Sequence, residues 1–100
     1  MQQEFIIVSE YCIQSRIDPD FIVQLENEGL IEIRIIGGER YIHISQLKSL
    51  EQYTRWYYDL SVNVAGIDII QNLLNRIDEM QDEMTRLREQ LGLMEADGEF

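Results

Sequence analysis

Two residues could carry nucleophilic or metal chemistry in this chain, its one cysteine, Cys12, and its one histidine, His43. A nucleophile needs a base within hydrogen-bond reach, and a zinc site needs three or four ligands at short, recurring spacings. Cys12 and His43 lie far apart in sequence, and no carboxylate spacing completes a ligand set around either. Cys12 falls inside a helical stretch, where cysteine usually serves as a small inert hydrophobe. His43 falls in a strand, where an exposed cross-strand pairing with Glu32 accounts for it. Gly37-Gly38 reads as a turn and Gly66 stands alone, so no glycine-rich loop cradles a phosphate. The sequence predicts no enzyme, no metal and no cofactor.

The carboxylates suggest a different chemistry, the attraction of cations. The segment from Asp18 to Leu30 holds Asp18, Asp20, Glu26 and Glu28 and neither lysine nor arginine. Asp18 and Asp20 also serve the positive end of a helix dipole. Glu26 and Glu28 sit near the negative end, where acids are mildly unfavourable, so they are the stronger candidates for contact with a basic partner. Among the aromatics Tyr53, Trp56, Tyr57 and Tyr58, helical spacing assigns the first three to the core. The alternative is a pocket for a planar or cationic ligand. Tyr58 falls off the main stripe and is the candidate for an exposed contact.

Local signals define the elements that must position these groups. Ser9 can cap a short helix through Gln14, with Ile6, Ile7 and Val8 leading in. Asp18 followed by Pro19 starts a second helix, with Phe21 and Leu25 on its apolar face, and Gly29 ends it. A two-residue turn at Gly37-Gly38 sets the register of a hairpin, Ile36 opposite Glu39 and Arg34 opposite Tyr41. The same register pairs Ile33 with Ile42 and Ile31 with Ile44 on one face, and Glu32 with His43 on the other. Ser45 is the expected cap of a third helix carrying Leu47, Leu50, Tyr53, Trp56, Tyr57 and Leu60. After a break at Ser61-Val62-Asn63, Asn63 caps the longest helix, Val64 to Leu91, which Gly92 stops.

That long helix carries a heptad seam of Ile70, Leu73, Ile77, Met80, Met84, Leu87 and Leu91. At about 1.5 Å per residue it spans roughly 40 Å, too long for so small a domain to cover, so the seam predicts pairing with a second copy. Ile67 and Leu74 form a second stripe expected to pack on the helix's own domain.

The fold class is mainly α with a small β-hairpin, a winged helix-turn-helix followed by a coiled-coil helix. The expected divisions are a helix-turn-helix domain over 1–63, a dimerisation helix over 64–92 and a disordered acidic tail over 93–100. A net charge of -11 makes nucleic acid and anionic membranes poor partners. The opening residues lack the pattern of a signal peptide, and no apolar run reaches membrane-spanning length, so a cytoplasmic setting is expected.

The order of elements resembles the MerR superfamily and, within it, the CbpM-type chaperone modulators. The resemblance rests on Ile7-Val8-Ser9-Glu10-Tyr11-Cys12, on Leu25-Glu26-Asn27-Glu28-Gly29-Leu30-Ile31 and on Tyr41-Ile42-His43-Ile44. It continues through Leu60-Ser61-Val62-Asn63-Val64-Ala65-Gly66-Ile67-Asp68-Ile69-Ile70, and its most specific part is Asn63-Val64-Ala65-Gly66-Ile67 followed by Leu73-Leu74. It implies a protein that binds the J-domain of a DnaJ-like co-chaperone and blocks stimulation of its Hsp70. A basic J-domain surface suits an acidic competitor. The alternative is a MerR-like DNA-binding transcription regulator, in which Arg16, Arg34, Arg40 and Lys48 would make the phosphate contacts.

Overall fold

The computed structural model describes residues 4–92. Its chain order is strand β1 (Phe5–Ile7), helix α1 (Val8–Ser15), helix α2 (Pro19–Asn27), strands β2 (Arg34–Ile36) and β3 (Glu39–His43), helix α3 (Leu47–Thr54) and helix α4 (Val64–Leu91). A 3-10 turn, Ile44–Gln46, precedes α3, and a π-helical turn, Arg55–Asp59, follows it. The chain forms two compact units, the first ending at Asp68 and the second beginning at Ile69, so the division falls inside α4. The expected acidic tail lies outside the described residues.

Local chemistry sets most of the boundaries. Asp18 Oδ1 accepts the Asp20 N–H at 2.9 Å, and Pro19 follows at the first helical position. Gly29 takes φ 76 and closes α2, with the Leu30 N–H bonded to the Leu25 carbonyl and the Gly29 N–H to the Glu26 carbonyl. This six-to-one and five-to-two pair satisfies carbonyls the helix would otherwise leave open. Arg16 closes α1 in the same way at φ 58, and Ile17 N–H reaches the Cys12 carbonyl. Asn63 Oδ1 accepts the Gly66 N–H at 2.8 Å and starts α4.

Several local expectations need correction. Ser9 does not cap α1: the helix starts at Val8 after Ile7, and no side chain caps it. Ser45 does not cap the third helix either. It lies inside the 3-10 turn, and His43 Nδ1 accepts its N–H at 3.0 Å. His43 faces Phe5 and Glu4 rather than Glu32, because the preceding apolar run forms β1 and pairs with β3. The sheet therefore has three strands in the order β1-β3-β2. The hairpin register is as expected, Arg34 opposite Tyr41 and Ile36 opposite Glu39. Ile44 leaves the apolar face and is exposed, because the chain turns into the 3-10 segment at that residue.

The core of the first unit gathers Val8, Cys12, Ile17, the α2 residues Phe21, Ile22 and Leu25, then Ile31, Ile42, Leu50, Tyr53, Val64 and Ile67. Complete burial of one such aliphatic or aromatic side chain stabilises by about 1.5–3 kcal/mol, so the three from α2 hold that helix firmly in place. Tyr57 stacks on Phe21 at 4.3 Å between ring centroids, and Trp56 packs on the core beside them. These aromatics fill the interior, as their spacing indicates.

In the second unit Leu73, Ile77, Met80, Met84, Leu87 and Leu91 are all exposed along one stripe of α4, and Ile70 is half-buried. Leu74, expected to pack inward, is 37% exposed. No helix among the described residues is long and apolar enough to cross a membrane.

Candidate partner-binding surface

The burial of Phe21, Ile22 and Leu25 leaves the polar positions of α2 to face outward. Asp18, Asp20 and Glu28 are exposed, and Glu26 is half-buried. All four belong to one short helix and its caps, so α2 presents acids at both ends. They are not equally available. Asp18 is occupied with Asp20 N–H, and Asp20 Oδ2 accepts from Gln24 Nε2 at 3.1 Å. Both aspartates therefore act as helix-start groups as well as surface charges.

Glu26 has a partner that the sequence reading missed. Arg40 Nη2 donates to Glu26 Oε1 at 3.0 Å, linking the wing to the last turn of α2. The hairpin register contained the signal. Arg40 is two residues before Ile42, so it shares the strand face on which Ile42 is completely buried, and that face looks onto the helices. Both side chains remain 39% exposed, and an ion pair this open is worth only about 0.2–1 kcal/mol. Glu28 has no ion pair among the described residues and borders a shallow recess with Gln24, Asn27 and the start of α4 at Asn63, Val64 and Ala65.

The loop after α2 is clamped by Gln46. Its Oε1 accepts the Glu32 N–H at 2.7 Å, and its Nε2 donates to the Glu32 carbonyl at 2.9 Å. One side-chain amide thus satisfies both backbone groups of Glu32, as a neighbouring strand would. Glu26, Glu32 and Gln46 border an open groove of about 530 Å³ beside Leu30 and Ile31.

Tyr58, 44% exposed, is more engaged than its stripe position suggests. Its hydroxyl accepts the Asp18 N–H at 3.0 Å, and its ring meets Phe21 edge-on at 5.6 Å. The π-helical turn, whose extra residue per turn shifts the side chains around the axis, carries Tyr58 in this position. Cys12 is buried against the helices, and desolvation raises its thiol above the ordinary 9.0, against a smaller lowering effect from Arg40.

Of the cations named for phosphate contact, Arg40 is drawn to Glu26 and Arg34 lies over the Phe5 ring at 5.6 Å. Arg16 and Lys48 are exposed. The residues of the heptad seam lie in the second unit.

Residues 6–89 match the family model described as MerR HTH family regulatory protein. No curated protein and no solved structure matches the chain.

Proposed function

The chain belongs to the MerR HTH family of regulatory proteins, and we propose that it acts as a non-enzymatic, protein-binding modulator rather than as a reader of DNA. The supporting observation is the charge of α2. This second helix of the helix-turn-helix presents Asp18, Asp20, Glu26 and Glu28 and no cation of its own. Duplex affinity comes mainly from cations that displace counterions on phosphate. A basic protein surface suits α2 where a phosphate chain does not. The partner proposed is the J-domain of a DnaJ-like co-chaperone, on the resemblance to CbpM-type modulators, and its capture would keep that domain from stimulating an Hsp70.

The exposed seam on α4 supports a second element of the proposal, pairing with another copy. Seven apolar residues at alternating spacings of three and four give each helix a stripe that a partner helix can bury. Two copies would display two acidic surfaces.

DNA binding is the second reading, favoured by the family's regulatory description and by exposed Arg16 and Lys48. Calorimetric titration of the protein with a J-domain and, separately, with a mixed-sequence duplex separates the two. Saturable J-domain binding that weakens with salt, with no heat from the duplex, is the expected result. Heat from the duplex alone would overturn the modulator reading.

A further inference from the structure

A recess of about 510 Å³ opens beside the C-terminal end of α1 and the π-helical turn, bordered by Ser15, Arg16, Glu51, Arg55, Tyr58 and Asp59. Arg16 and Arg55 are both exposed, and neither forms an ion pair or a side-chain hydrogen bond with a described residue. In a chain where acids outnumber bases 19 to 8, two uncommitted arginines on one recess call for an explanation. Arg40 pairs with Glu26, Arg86 with Glu83, and Arg34 covers Phe5. Exposed Lys48 and Arg76 also lack such a partner among the described residues, but neither borders this recess. Arg16 also stands at φ 58, a helix-closing position where glycine is the ordinary choice. The closure uses only its backbone, so the fold does not require the guanidinium. Tyr58 Oη already accepts from Asp18 N–H, which leaves its own proton to donate.

We propose that this recess docks an acidic side chain of a protein partner, with Arg16 and Arg55 holding the carboxylate and Tyr58 donating to it. Guanidinium groups match a carboxylate in shape and charge, and arginine and tyrosine dominate the energetics of protein interfaces. Glu51 and Asp59 also line the recess and sharpen the choice. They repel the successive charges of a phosphate chain more than they repel one carboxylate held between the two arginines. Exposed Ile13, one turn before Arg16, and exposed Leu60, next to Asp59, supply apolar contact. The site extends the protein-binding reading to a second surface, with charge opposite to that of α2, and does not depend on the J-domain as partner.

The test uses the full-length protein labelled with nitrogen-15 and follows the side-chain Nε–H signals of Arg16 and Arg55 by NMR. The probes are N-acetyl-Leu-Glu-Leu-amide, its neutral analogue with glutamine at the centre, and inorganic phosphate. The acidic peptide is expected to move both signals and to bind roughly ten-fold more tightly than the neutral one, as a charge-assisted contact should. Arg16→Gly, at a backbone position that suits glycine, is expected to fold with an unchanged or higher Tm and to lose this discrimination, as is Arg55→Gln. Equal response to the two peptides overturns the proposal, and so does a response that survives both substitutions. Phosphate acting at lower concentration than the acidic peptide would make this a general oxyanion site and overturn it as well.

Discussion

Arg40 Nη2 and Glu26 Oε1 meet at 3.0 Å, so the wing neutralises one of the two acids at the C-terminal end of α2. The pair is half exposed and contributes little to stability, but it controls how much negative charge α2 displays. Arg40→Gln is expected to cost less than about 1 kcal/mol in urea unfolding. The same substitution frees Glu26, so J-domain affinity should rise and its salt dependence should steepen. A binding isotherm unchanged at low and high salt would remove Glu26 from the partner surface.

Tyr58 provides a separable test of the contact with Asp18. Tyr58→Phe keeps the ring against Phe21 and Tyr57 but leaves the Asp18 N–H without its acceptor. The expected loss is about 0.5–1.5 kcal/mol, the net value of an ordinary hydrogen bond, read from chemical denaturation with an unaltered helical spectrum.

Met84, 51% exposed, lies within the seam of α4. Met84→Glu places a charge where a second helix would bury it, so a dimer should become a monomer by sedimentation. An unchanged mass excludes the seam as the contact between copies.

The alkaline limit of stability follows from two buried acids, Cys12 and Tyr53, and the half-buried Tyr11. Desolvation raises Cys12 above its ordinary 9.0 and Tyr11 and Tyr53 above their ordinary 10.0. Smaller Coulombic effects add to the rise for Tyr11 from Glu51 and for Tyr53 from Asp68. Each group ionises more readily in the unfolded chain, so its contribution is complete below the unfolded value and is lost as pH climbs through the folded one. Tm should therefore hold near neutrality and begin to fall above pH 9, with Cys12→Ala delaying the first part of the fall.

Gly66 adds a test at the start of α4. A Cβ there would meet Val62 Cγ1 at 2.9 Å and Asn63 Oδ1 at 3.2 Å. Alanine normally stabilises a helix interior relative to glycine by about 1 kcal/mol. Here Gly66→Ala should lower Tm instead, because it crowds the capping side chain.

What the sequence disclosed was chiefly local. Asp18-Pro19, Gly29, Asn63 and Gly92 mark helix ends through contacts only a few residues long, and Gly37-Gly38 sets a register that needs no distant information. The acids of α2 were legible for the same reason, since one short helix carries them. The features missed depend on residues far apart. Strand β1 is a three-residue apolar run whose only mark is its pairing with β3. His43, held in β3 by its pairing with Phe5, caps the 3-10 turn that contains Ser45. The Arg40–Glu26 pair and the Gln46 clamp each join residues 14 positions apart, beyond any helical or strand period. Leu74 continues a periodic stripe, but periodicity records apolar spacing and not what is present to cover it.

The strand order β1-β3-β2 also governs the timing of assembly. Phe5–Ile7 precede β3 by more than thirty residues, yet among the described residues their strand partners are Tyr41, Ile42 and His43. The helix-turn-helix and the hairpin can begin to form from near neighbours, whereas the opening strand must wait, with its apolar side chains uncovered, until the wing has been synthesised.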